Sequence, residues 1–387
     1  MGKIVFVLCL LSSITLFGQS AVKIHKKAIV VDTHGDILSE QIKSGIDIGK
    51  RQESGNFDLI RARQGGLDVQ VFSIWCDETG GFAMANRQID SLEALVKRHP
   101  DQISLVKTAG ELKSAVKAQK LAAMIGVEGG HMIENRLDYL EALAKRGMTY
   151  MTLTWNNSTS WASSAADETF KKDSLNHLGL TDFGKQVVKR MNELGVMVDL
   201  SHVGETAFYD AIKTSSKPVI ASHSSAYSFN SHQRNLKDEQ IKAIAKTGGV
   251  VFVNFYSGFL DSTYFRKQQK FIAAHKAELA ELTKTYQSRS EAQAAIDAKY
   301  ISEINDMRPP LSLLIDHIDH IVKLVGADHV GLGADYDGAE SYPKQLDDVS
   351  NYPVITEALL NRGYTKGDIL KILGGNFIRV LKDNQAR

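Results

Sequence analysis

Five apolar runs in this 387-residue sequence stop at residues that can bind metal or move protons. His34 and Asp36 follow the run 28–33, and Glu128, with His131 close behind, follows 122–127. Asp199 and His202 close the run 196–200, His223 closes 218–222, and Asp335 and Asp337 follow 329–333. Ionisable groups at the end of a buried strand cost free energy unless they are paired, metallated or catalytic. Imidazole nitrogen and carboxylate oxygen suit zinc and its neighbours, whereas two cysteines in the whole chain argue against a cysteine cage or an iron–sulfur cluster. A carboxylate bridging two ions ~3.5–4 Å apart lets both polarise one water. His34 and Asp36, two residues apart, can reach one ion from a single loop; His202 and His223 can hold a second, and Glu128 is placed to bridge. Asp335 is then left as a base that takes the water's proton and passes it to a leaving nitrogen.

The neighbours of these residues read differently. Asp32 is expected to be structural, capping the turn or supporting a ligand, and His131 and Asp337 stand outside the primary set. His317 and His320 lie three apart on a helical stretch with no carboxylate strand end beside them, which favours packing or surface roles.

To bring five strand ends to one rim, the chain needs a closed sheet. Eight strand-length apolar runs occur, at 28–33, 67–74, 122–127, 150–154, 196–200, 218–222, 249–254 and 329–333. They are nearly continuously apolar, as expected of strands buried on both faces. Amphipathic helical stretches alternate with them. In one, Thr181 suits an N-cap, the apolar positions of 182–194 fall at helical spacing, and Gly195 suits a C-terminal stop. Eight alternating strands and helices predict an α/β fold, a (β/α)8 TIM-type barrel, whose chemistry sits at the C-terminal ends of the strands. The polar, helix-prone stretch 261–307 breaks the alternation and is read as a helical insertion between strands seven and eight: a lid, a partner-binding element or a solvated appendage.

Composition bounds the rest. Apolar residues at 43% and charged residues at 24% describe an ordinary soluble globular protein, and a net charge of +1 gives no electrostatic case for nucleic acid or an anionic membrane. Lys3, the apolar stretch 4–17 and the small residues 18–21 resemble a signal peptide over 1–20, leaving a single barrel domain over 21–387. Its removal would leave Cys76 as the only thiol, and the polar C-terminus carries no lipid-anchor tail. The expectation is an exported, periplasmic or secreted protein without a membrane anchor.

At this point the sequence resembles the membrane (renal-type) dipeptidases, zinc metallopeptidases of the amidohydrolase-like barrels. The resemblance runs from about residue 28 to 381. It rests on "DTHGD" at 32–36, "GVEGG" at 126–130, "LTWNNSTSWA" at 153–162, "DLSHV" at 199–203, "SHSSAYS" at 222–228, "RN" at 234–235, "VNFY" at 253–256 and "GLGADYDG" at 331–338. It implies two zinc ions, one on His34, Asp36 and Glu128 and the other on Glu128, His202 and His223, with Asp335 as the catalytic acid/base. It also implies that Arg234 grips the carboxylate of a dipeptide, that Tyr256 contacts the substrate's C-terminal end, that a C-terminal D-residue is tolerated, and that barrels pair as a homodimer.

The chain departs from the better-known animal members at Trp155, where they carry a histidine that hydrogen-bonds the oxyanion. Indole offers one N–H and no charge, which shifts that task to the zinc ions or to Asn156 and places Trp155 and Asn156 among the substrate contacts. Two rival readings stand beside the dipeptidase. One is another metal-dependent amidohydrolase on the same barrel, acting on a cyclic amide, a deaminase substrate or a phosphoester. The other is a non-enzymatic metal- or peptide-binding protein. His-Gly-Asp at the first strand and glutamate at the third favour the peptidase over the former, and the presence of Asp335 argues against the latter.

Overall fold

The computed structural model describes residues 20–77, 80–286 and 289–385. All but the last residue of the expected leader 1–20 lies outside them.

The eight expected strands form, each within a few residues of its expected bounds: β1 (Val30–Asp32), β2 (Leu67–Ile74), β4 (Leu121–Glu128), β5 (Met148–Thr152), β6 (Met197–Asp199), β7 (Ile220–Ala221), β8 (Val250–Val253) and β9 (Val330–Leu332). They pair in parallel in the order β1-β2-β4-β5-β6-β7-β8-β9. The two ends of that order meet: Thr33 N–H donates to the Leu332 carbonyl at 3.1 Å, and Asp36 N–H to the Tyr336 carbonyl at 2.9 Å. Asp32 reinforces the seam from within. Its Oδ1 accepts the Ala334 and His34 N–H groups, and its Oδ2 accepts the Tyr352 hydroxyl at 2.6 Å. The structural role expected of Asp32 is thus a staple across β1 and β9. A ninth strand, β3 (Ile103–Leu105), was not expected; it pairs with Leu121, Ala122 and Ala123 of β4 on the outside of the barrel.

Side chains fill the barrel. Val69, Val71, Met124, Tyr150, Met197, Ile220, Val250 and Phe252 form one fully buried cluster, at about 1.5–3 kcal/mol per large apolar side chain removed from water. Phe377, Val380 and Leu381 of the C-terminal helix Asn376–Asn384 join that cluster. This helix lies across the N-terminal ends of the strands, where Asn376 Nδ2 reaches the Ala327 and Val330 carbonyls and Asn384 Nδ2 reaches that of Pro218. That end is plugged, so the opposite rim is open for ligands.

The intervening helices follow their sequence signals. In Asp182–Leu194 the Thr181 hydroxyl accepts from Gly184 N–H, Val187, Val188 and Met191 are buried, and Gly195 turns left-handed at φ +74°. Between β8 and β9 the insertion forms helices Tyr264–Thr285, Arg289–Lys299 and Ile301–Met307. Tyr264, Phe271, Ile296 and Met307 build a small core there, and that core includes Tyr256. Among the described residues no helix is long and apolar enough to cross a membrane.

Candidate metal centre and substrate cavity

Glu128, at the end of β4, stands where the strand ends converge. Its Oε1 lies 2.8 Å from His202 Nε2 and 3.3 Å from His223 Nε2, while Oε2 lies 3.4 Å from His34 Nε2. Ser73 of β2 donates to Oε2 at 3.3 Å. One carboxylate therefore faces a histidine pair with one oxygen and His34 with the other.

Each imidazole is fixed through its far nitrogen. The Tyr150 hydroxyl donates to the Thr33 carbonyl, so its 2.8 Å bond to His34 Nδ1 is donated by the ring. Ser222 Oγ donates to Asp199 Oδ2 and by the same logic accepts from His223 Nδ1 at 2.7 Å. Asn156 Oδ1 accepts from His202 Nδ1 at 3.1 Å. With the Nδ1 protons spoken for, the Nε2 atoms turn inward.

Burial, with the Arg234 cation second, pulls the His202 pKa down to about 3; burial and charged His34 hold His223 well below the usual range. Both rings are neutral. Their Nε2 atoms and Glu128 Oε1 are then three acceptors 2.8–3.3 Å apart with no proton among them. That donor set fits a cation. His34 behaves oppositely: burial would lower its pKa, but Glu128, Asp36 and Asp335 together push it up to about 10. Three carboxylates draw a positive charge onto this nitrogen, and a divalent ion satisfies the same demand.

Asp36 and Asp335 complete the rim. Their nearest oxygens each lie 4.0 Å from His34 Nε2, and His34, Asp36 and Asp335 form one compact set of candidate ligands, as do His34, Glu128 and His223. Burial, then the Glu128 charge, raises the Asp36 pKa to about 8, and Asp36 Oδ1 is buried without a hydrogen-bond partner. Asp335 is held by Asn254, whose Nδ2 donates to its Oδ2 at 2.9 Å, leaving Oδ1 toward the centre. Burial raises its pKa as well. Gly338 lies against both carboxylates: a Cβ there would overlap Asp36 Oδ2 and Asp335 Oδ1.

A cavity of roughly 270 Å³ opens on this cluster, at the small end of ligand sites. Arg234 lines it. The side chain is almost fully buried, its Nε has no partner, and no carboxylate lies within 4.0 Å of it among the described residues. Its other contacts are Ser224 Oγ at 3.4 Å and the His223 carbonyl at 3.3 Å. Burial lowers its pKa only to about 10, so it is a desolvated cation at neutral pH. Trp155 and Trp75 also line the cavity, ring centroids 5.0 Å apart.

Eight of the ten residues singled out from the sequence line this cavity, and the other two, His34 and His223, lie against Glu128, but two of the ten make contacts that were not expected. Asn156 spends its carbonyl oxygen on His202 Nδ1, and the Tyr256 hydroxyl donates to Glu340 at 2.6 Å. The lid reading of the insertion needs revision: among the described residues no side chain of 261–307 lines the cavity, and the insertion instead buttresses Tyr256 and Phe259, which do. His131 turns away, its Nε2 hydrogen-bonded to the Cys76 carbonyl, and Asp337 accepts the Asn56 N–H. His317 sits in the core, bonded to Ala226 N–H and the Leu260 carbonyl. Tyr150, Ser222, Asn254 and Gly338 were not given roles from the sequence, since none stands out by type in an apolar or loop context.

A family model described as membrane dipeptidase, peptidase family M19, matches residues 18–387. Dipeptidase 3 of Mus musculus is 31% identical over 374 residues, covering 94% of this chain; the chain spans 66% of that relative's length. Among solved structures, the probable dipeptidase PvdM from Pseudomonas aeruginosa matches with a TM-score of 0.81 at 24% identity, over 96% of this chain and 99% of that one. A metallopeptidase from Rhodobacter sphaeroides, liganded with a phosphinate mimic of the dipeptide L-Ala-D-Ala, matches with a TM-score of 0.74 at 22% identity, over 92% and 99%. These two likenesses bear on the fold, a shared parallel α/β barrel.

Proposed function

The chain belongs to the membrane dipeptidase family, peptidase family M19, and from that premise we propose that it is a binuclear zinc dipeptidase. The observation that carries the proposal is the convergence of three histidine Nε2 atoms on Glu128 beside a buried Arg234 that has no carboxylate partner among the described residues.

In this reading His34, Asp36 and Glu128 hold one zinc ion, and Glu128, His202 and His223 the other. The bound ions would supply Lewis acidity to the peptide carbonyl and to the attacking water. The water oxygen bonds to the carbonyl carbon, the C–N bond breaks, and Asp335 Oδ1 carries the water's proton to the departing amine, while Asn254 fixes the other carboxylate oxygen. Arg234 receives the free carboxylate of the substrate with two or more N–H donors, and its depth in the cavity limits the chain to dipeptide length. Tyr256, Trp155 and Asn156 line the space around the substrate. The Rhodobacter neighbour's dipeptide mimic carries a D-residue at its C-terminal position, which supports including L,D substrates.

We also propose export to the periplasm or the medium with removal of residues 1–20, read by the N-terminal sequence of the recovered protein. A homodimer is the expected solution state, read by sedimentation.

The test of the activity is amino-acid release from a panel of L,L and L,D dipeptides by zinc-loaded protein, with chelated protein and His202→Ala as controls. Zinc-dependent cleavage lost in both controls is expected. A folded, zinc-loaded protein that cleaves no dipeptide would contradict the dipeptidase reading and turn attention to other amides and esters on the same barrel.

A further inference from the structure

Beyond the metal cluster the cavity wall runs outward in a line. The Arg234 guanidinium lies 5.3 Å from the centroid of Phe259, Phe259 packs on Tyr256 at 4.9 Å, and the Tyr256 hydroxyl donates to Glu340 Oε1. Gln268, from the first insertion helix, donates to the same oxygen at 3.2 Å, which leaves Oε2 for another donor. Both partners of Glu340 are neutral. No lysine, arginine or histidine nitrogen lies within 4.0 Å of its carboxylate among the described residues.

A second carboxylate stands nearby. Asp297, on the second insertion helix, accepts from Gln293, and burial, with the Glu340 charge assisting, holds its carboxyl above the usual range. The cavity wall thus carries an exposed carboxylate, Glu340, while the Arg234 cation on the same wall is buried. A substrate carboxylate seated on Arg234 would direct the side chain of the same residue along Phe259 and Tyr256 toward Glu340. A side chain of several methylenes ending in a positive charge matches that path, apolar along its length and anionic at its end.

We infer that Glu340 is a specificity-determining residue that favours dipeptides with a C-terminal lysine- or arginine-type side chain. This rests on the proposed dipeptidase reading, and on Arg234 taking the carboxylate.

The test compares kcat/KM for Gly-Lys and Gly-norleucine, which differ by the terminal ammonium, in zinc-loaded wild type, Glu340→Gln and Glu340→Lys at low and high salt. Wild type is expected to prefer Gly-Lys by about two- to five-fold, the scale of a partly exposed ion pair. Salt should narrow the preference. Glu340→Gln, which can still accept the Tyr256 hydrogen bond, should bring the ratio near one, and Glu340→Lys should invert it. Cleavage of both substrates at equal efficiency by wild type, or an unchanged ratio in Glu340→Gln, would overturn the preference and leave the dipeptidase reading standing. Failure to cleave either substrate, or any other dipeptide, would overturn both.

Discussion

His202 and His223 meet Nε2 to Nε2 at 3.0 Å, each with its Nδ1 already committed, to Asn156 Oδ1 and to Ser222 Oγ. Two neutral imidazoles in that tautomer repel each other across the gap, and Glu128 Oε1 adds a third acceptor. The fold accepts this cost because Asp199, buried and bonded to Thr152, Ser201 and Ser222, fixes the two strand ends that bear them. A bound cation turns the repulsion into attraction.

Tyr150 is expected to tune metal affinity without touching metal. In Tyr150→Phe the His34 Nδ1 proton loses its acceptor, which frees the ring to rotate and to change tautomer. Zinc affinity should fall about 10- to 100-fold, the usual effect of removing a partner behind a ligand, as read by competition with a chromogenic chelator. Equal affinity in the variant would show that packing alone orients His34.

Gly338 is expected to be replaceable only at the expense of the site. In Gly338→Ala the methyl group displaces Asp36 or Asp335. Dipeptide cleavage should fall at least about 100-fold, as misplacement by an ångström can cause, while the far-ultraviolet circular dichroism stays that of the wild type. Full activity in the variant would mean that the loop after β9 yields readily.

The fold was largely legible because a buried parallel strand leaves a continuous apolar run, and eight such runs set the barrel and the rim. β3 was missed because Ile103-Ser104-Leu105 is short, half-exposed and outside the barrel wall, so no apolar run marks it. The charged ligands were legible by their position after those runs. Their supports were not: Tyr150 and Ser222 read as ordinary strand residues, and their partners His34 and Asp199 lie 116 and 23 residues away in sequence. The Tyr256–Glu340 bond joins loops 84 residues apart, and for the same reason no local pattern announces it.

Stability at mild acid should report His317. Burial, opposed by the Leu260 carbonyl bond, lowers its pKa from 6.5 to about 4. Its depressed value means that the unfolded chain takes up a proton below pH 6.5 that the fold refuses until about pH 4. The stability it contributes is present above pH 6.5 and lost through that window, by roughly 3 kcal/mol in all. His317→Gln should therefore be less stable than wild type at pH 7, with the difference in Tm narrowing toward pH 4.5. Parallel Tm curves would place the acid sensitivity elsewhere.

The most direct test of the central claim is the number of zinc ions that the metal-stripped chain takes up at equilibrium, measured by dialysis against micromolar zinc and elemental analysis. Two per chain are predicted, with fewer than one retained in Glu128→Gln, since that carboxylate serves both sites. A wild-type chain that binds one ion or none, or a Glu128→Gln chain that keeps both, would contradict it.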